Sequence, residues 1–291
     1  NWLCSLRYRY KLIENSDYYR SGLYRLVGRR NISYCTEPFK DLPCENKDQF
    51  GCGLQLIAEN AAGERRKIYL DIKDVAPFEQ DKYDWADVYG KVNIPEDSQH
   101  EYRLSDYPKM VALGPEFGLR NRSALGLAWQ AMKCWLKGRA ESSVSWRLYL
   151  QSYVYPYVRR RGLGVYERPC NVRPDYVFHA STLWYNDFAA SDTNRFRGEF
   201  LKACQKAGLK IEGGLYIDGQ APLRELPDYP KYKEIYRDFI YDKRLSMDDY
   251  IRKTKESVLV FNTPSVCGCL GWKLGEYLCM GKAIISTPLN R

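Results

Sequence analysis

Short apolar runs bounded by turn residues alternate along this chain with stretches whose apolar positions recur every three to four residues. The first pattern predicts strands and the second helices. In the first half, 4–10 and 32–35 read as strands around a short basic helix at 17–27, and 67–71, 86–92 and 110–113 read as further strands. Residues 41–53 are polar and glycine-containing, which predicts a loop, and 54–60 is expected to be helical. Helical spacing returns at 123–136, and 144–161 continues as a longer helix around Pro156. Strands separated by short helices argue for a parallel sheet. Two glycines and two prolines in 162–174 predict a linker. The alternation then repeats as strand 176–180, amphipathic helix 194–207 and strand 211–217. An excursion at 220–241, rich in Pro, Tyr and charge, is expected to hold one helix near 233–240. Helix 247–254, strand 258–261, helix 271–279 and strand 283–285 close the chain, and the expected fold class is α/β in two domains, 1–168 and 169–291.

Composition narrows the partners. Lys and Arg number 45 against 36 acidic residues, a net charge of +9, which favours anionic ligands: a nucleotide diphosphate, a lipid pyrophosphate, an anionic membrane or a nucleic acid. Neither an RNP-like segment nor a zinc-finger or helix-turn-helix signature is present, so nucleic acid is not an expected partner. The 10 cysteines are scattered without a C-x-x-C pair, and His100 and His179 lie far from any cysteine couple, which speaks against structural zinc. Free thiols in a reducing cytoplasm are expected. With no apolar stretch approaching the ~20 residues that span a bilayer, the protein is expected to be soluble or peripheral. The segment YVYPYVRRRGLGVY at 153–166 interleaves aromatic and basic residues. It reads either as a contact with the anionic inner face of a membrane or as a helix end with solvated arginines.

The densest chemistry lies in SVLVFNTPSVCGCLGWKLGEYLCMGKAIISTP at 257–288. A buried strand runs into a turn at 262–269, a short helix carries Glu276, and a second strand follows Gly281. Ligands of open α/β sheets bind at the carboxyl ends of strands, and the free N–H groups of Gly268 to Lys273 suit an anion there. This order, with T-P-S before the glycine turn and G-K-A-I-I-S-T-P after the helix, resembles the donor half of a GT-B glycosyltransferase of the kind that builds bacterial surface polysaccharides. The resemblance is carried by the last hundred or so residues.

That resemblance implies two Rossmann-like domains facing each other across a cleft. The first would bind an acceptor (a glycan, polysaccharide or lipid-linked sugar) and the second a nucleotide-diphosphate sugar used as co-substrate, without cofactor or metal. It assigns ribose hydroxyls to Glu276 and the diphosphate to the turn with Thr263, Ser265, Gly268, Gly271, Trp272 and Lys273. Arg195 and Arg197, which follow the loop after the 176–180 strand, are candidates for the phosphates, and Arg244 and Leu245 for the base. Many retaining enzymes of this group have E-x7-E, but here the first position is Gly268, so stereochemical outcome is not implied.

Each residue also has a plainer reading. Asp192, Thr193 or Asn194 is expected to cap its helix, and Ser246 with Asp249 forms a capping-box variant. His179 reads as a core histidine or as a ring bonding a sugar hydroxyl. Asp74, Asp17 and Glu116 are rival general bases in the first half, with Asp71 beside them, and helix capping after the strand is the alternative for Asp71 and Asp74. Alternative functions are a nucleotide-sugar epimerase of similar fold, or a non-catalytic basic module that binds nucleic acid or membrane.

Overall fold

The computed structural model describes residues 3–10, 17–42, 53–94, 104–139, 145–184, 192–217, 229–265 and 267–289. The chain forms two compact units, Asn1–Gly162 and Leu163–Asn290, so the division falls earlier than the expected 168/169 boundary.

In unit 1, β1 (Ser5–Arg9), α1 (Asp17–Val27), β2 (Ile32–Cys35), β3 (Gly53–Glu59), β4 (Arg65–Asp71), α2 (Gln80–Trp85), β5 (Val88–Lys91) and β6 (Met110–Ala112) build a sheet of order β2-β1-β3-β4-β5-β6. Two expectations are corrected here. Residues 54–60 are the central strand β3 and not a helix, and the sheet is mixed, because β3 runs antiparallel to both β1 and β4. The run GLQLIAE is buried along nearly its whole length. A short run buried on both faces has no periodicity that separates strand from helix. The hairpin after it is set by Asn60, whose Oδ1 accepts from the N–H of Ala62 at 3.0 Å and of Glu64 at 2.9 Å. The expected 41–53 loop lies almost wholly outside the described residues.

Aliphatic residues Leu6, Leu54, Leu56 and Leu70 form one core cluster of unit 1, and Tyr69, Tyr83, Tyr89 and Met110 another. Helix α3 (Ala124–Gly138) is capped by Ser123, whose Oγ accepts from the Gly126 N–H at 3.1 Å. It packs through Leu127, Ala131 and Cys134 on Tyr149, Tyr153 and Tyr157. Those tyrosines belong to α4 (Trp146–Tyr149), a π-turn (Leu150–Val154) and α5 (Tyr155–Arg159), which follow one another directly as the sequence pattern around Pro156 implied. Of the tyrosines in 153–166, Tyr153, Tyr157 and Tyr166 are buried and Tyr155 is exposed.

Unit 2 opens with α6 (Leu163–Glu167), so part of the expected linker is structured, with Tyr166 buried. Then come β7 (Tyr176–Thr182), α7 (Thr193–Lys206), β8 (Lys210–Tyr216), α8 (Tyr229–Ile235), β9 (Ile240–Tyr241), α9 (Met247–Glu256), β10 (Val260–Asn262), α10 (Trp272–Cys279) and β11 (Ile284–Ser286). The helix expected near 233–240 thus lies earlier, and its place is taken by a 3-10 turn and β9. Every ladder is parallel, β7-β8-β9 on one side and β10-β11 on the other. The lead into β10 is tied to β7 by the Val258 N–H donating to Tyr176 O at 2.9 Å and the Phe178 N–H donating to Ser257 Oγ at 2.9 Å. Val177, Leu201, Leu215 and Tyr236 centre the core of this unit.

Candidate anion-binding site

The carboxyl ends of β7 and β10 are bridged by one side chain. Arg197, buried on the first turns of α7, donates from Nη1 to Thr182 O at 2.6 Å and from Nε to Thr263 Oγ1 at 3.0 Å. Burial lowers its pKa to about 10. Lys273, on the first turn of α10, turns its ammonium inward to Ala180 O and to Ser181 Oγ, the latter at 3.3 Å. Burial, and then the charge of Arg197, lower its pKa to about 7, partly offset by Glu276. Among the described residues neither cation has a carboxylate in ion-pair contact.

Two strand ends and two helix starts therefore hold two largely dehydrated cations, neither in ion-pair contact with a carboxylate among the described residues. Such an arrangement is costly unless an anion completes it. His179, one strand turn below, is buried with neither ring nitrogen hydrogen-bonded. Burial, Lys273 and Arg197 hold its pKa well below 6.5, so it is neutral at pH 7 and adds no charge. Its ring packs 5.4 Å from that of Phe200, centroid to centroid.

Glu276 is half-buried, and its Oε2 accepts from Tyr250 OH on α9 at 2.7 Å. Burial raises its carboxyl above the ordinary range, while Tyr250 and Lys273 pull it back. Helix α10 has no side-chain cap, and the turn before it is tight: Cys267 and Gly268 have φ of 53° and 75°, and the Ser265 N–H donates to Cys269 O at 2.8 Å. Gly271 sits at the helix start against that turn, where an added Cβ would lie 3.5 Å from Thr263 O. Trp272 is exposed.

Other candidates fall elsewhere. Arg195 is exposed and paired to Asp192 Oδ1 at 3.1 Å. Asp192 occupies the N-cap position of α7 without capping it, and Asn194 instead exchanges two hydrogen bonds with the Trp184 backbone at 2.8 and 2.7 Å. Asp192 and Asn194 are thus engaged by competing partners, while the buried Thr193 Oγ1 makes no hydrogen bond. Residues 185–191 of the same loop lie outside the described residues. Arg244 donates from Nε to Tyr216 OH at 3.1 Å, and Leu245 is exposed before the Ser246 cap, which accepts from the Asp249 N–H at 3.1 Å.

In unit 1, Asp71 is consumed by structure. Its carboxylate accepts from Tyr89 OH at 2.7 Å and Lys91 Nζ at 3.1 Å in a fully buried pair. Asp74 is half-buried just beyond β4, its carbonyl accepting from Asn93 Nδ2 at 2.5 Å. Glu116 is buried, and Asp17 begins α1 with its side chain outside the described residues. No group of three or more metal-ligating side chains occurs among the described residues. Eight described cysteines are free thiols, while Cys44 and Cys52 lie outside them.

Sequence reasoning missed Ser181 and Tyr250. Ser181 is the last residue but one of a strand that begins as an apolar run, and its position relative to Lys273 depends on a contact 92 residues away. Tyr250 reads as an ordinary member of an amphipathic helix. Compared with family models, curated proteins and solved structures, the chain matches none.

Proposed function

We propose that unit 2 binds the diphosphate of a nucleotide-diphosphate sugar, and that the protein transfers this sugar to a hydroxyl acceptor held by the first unit. The observation that carries the reading is the pair of cations, buried Arg197 and half-buried Lys273, with no carboxylate paired to either among the described residues, at the carboxyl ends of two strands. A diphosphate completes that charge. As the sugar leaves, negative charge grows on the diphosphate, and fixed cations stabilise it without reorganising. Glu276 then serves the ribose hydroxyls in place of its bond to Tyr250, and the tight turn at Cys267 and Gly268 offers backbone N–H groups. Asp74, Asp17 and Glu116 remain the candidates for the base that activates the acceptor.

On this reading the strand arrangement of unit 2 is Rossmann-like, the two units form a GT-B pair, and the enzyme works in the cytoplasm at or near the inner membrane face. Thermal stabilisation by a panel of nucleoside diphosphates and nucleotide sugars tests it. A ligand at a hundred times its dissociation constant adds about 2.7 kcal/mol of stability. A single base and sugar should stand out and release of nucleoside diphosphate should follow acceptor addition, whereas a panel without any stabilising member overturns the reading.

A further inference from the structure

Helix α3 carries an outward surface in unit 1 that the anion site does not use. Its inward face is spent on the tyrosine cluster of α4 and α5. Its outward face is apolar: Leu125 is 84 %, Trp129 75 % and Leu136 52 % exposed. At about 100° per residue, these three and the half-buried Met132 share an arc of about 60°. Exposed Lys133 and Lys137 flank the arc on one side and exposed Arg139 on the other. From Phe117 to Arg139 the sequence has five basic residues and no Asp or Glu.

Scattered single apolar residues on a surface need no explanation, but a Trp and two Leu aligned on one helix face mark an interaction site. Charge decides the partner. A second copy would bring cations against cations, a nucleic acid would leave the leucines in water, and an uncharged bilayer would leave the lysines without counter-charge. An apolar stripe with an indole, bordered by exposed Lys133 and by Lys137 and Arg139, whose cationic heads lie over the Tyr10 and Trp135 rings, fits the boundary of an anionic bilayer.

We infer that the outward face of α3 docks unit 1 on an anionic lipid surface, with the helix lying in the plane of the headgroups. This surface is distinct from 153–166, most of whose tyrosines are buried. Co-sedimentation of the intact chain with phosphatidylcholine vesicles, with and without phosphatidylglycerol, tests it. Wild type should bind only the anionic vesicles, and added salt should weaken binding. Losing a lysine near such a surface reduces partition about fivefold, so a K133A/K137A variant should lose roughly thirtyfold. L125E/W129E should lose binding altogether with an unchanged melting temperature, since both side chains are exposed. Should that variant fold poorly, Trp129→Phe answers the same question: brominated lipid should quench wild-type tryptophan fluorescence and quench the variant less. Equal vesicle binding by wild type and L125E/W129E, no binding by wild type, or a wild-type dimer that L125E/W129E dissolves would each overturn the inference.

Discussion

An ammonium group that has given up its water without gaining a carboxylate releases its proton readily, and Lys273, with a pKa lowered to about 7, is such a group. Above about pH 7 the folded chain has lost this proton while the unfolded chain keeps it to about pH 10.4, so the unfolded state binds more protons and stability rises with pH. The rise is at most about 1.4 kcal/mol per pH unit. It is cleanest below about pH 8.5, because the raised thiol pKa of Cys134 and Cys204 acts in the opposite direction above that. A bound anion restores the charge, so diphosphate binding at pH 8 should take up a proton. Calorimetry in buffers of different ionisation enthalpy measures that uptake, and Lys273→Met should abolish both it and the stability slope. No uptake by wild type would remove Lys273 from the site. Glu276→Gln poses a separate test, since Gln still accepts from Tyr250 OH while its charge is gone. Donor affinity should fall by roughly 1.5 to 3 kcal/mol, the range for hydrogen bonds to charged groups, with stability held or raised because a half-buried carboxylate is relieved. A variant with lower melting temperature and unchanged affinity would make Glu276 a structural residue.

At the scale of elements, what was legible depended on whether a segment's neighbours impose a pattern on it. Amphipathic helices such as α1, α3, α7 and α9 write their burial into their spacing, and they appear where the apolar period put them. Strand β3 does not, because buried on both faces it has no period, and the antiparallel turns of the sheet went unread with it. The site was legible in part. Lys273, Glu276, Thr263 and Gly271 come from one motif, and the sequence also held an unused clue to Arg197: it lies on the same helix stripe as Phe200, Leu201 and Cys204, all buried, while Arg195 lies off it. Partners such as Ser181 and Tyr250 were not legible, because a side chain's direction is set by packing between distant elements. Strand β8 shows how tightly that packing is drawn. Gly213, paired with His179, has φ of 84°, and an added Cβ would stand 2.1 Å from His179 O. Gly213→Ala should therefore cost at least about 3 kcal/mol in denaturant melts. Gly208→Ala, at φ 75° but with open space around it, should cost only about 1 to 2 kcal/mol. Equal costs would mean that the close approach of β8 to the His179 backbone is not maintained in solution.

For the whole molecule, the informative boundary is the one before α6. That helix belongs to unit 2 by contact: Tyr166 is 1 % exposed, Lys255 Nζ donates to Val165 O at 3.0 Å, and α6 lies against α10, the helix of Lys273 and Glu276. A fragment beginning at Leu163 should then fold and bind nucleoside diphosphate, whereas one beginning at Arg173 lacks the ring that fills this space. Deleting a buried aromatic side chain costs about 3 to 5 kcal/mol, a large share of the roughly 5 to 15 kcal/mol that a domain has to lose. The shorter fragment should therefore melt at distinctly lower temperature, and at temperatures where it is folded it should bind diphosphate more weakly, because α10 has lost its support. Calorimetric melts and titrations on both fragments, beside the intact chain, decide the matter. Two fragments of equal stability and affinity would return α6 to the role of a connector, and a folded Leu163 fragment without diphosphate affinity, from an intact chain that has it, would mean that the anion site needs residues from the first unit.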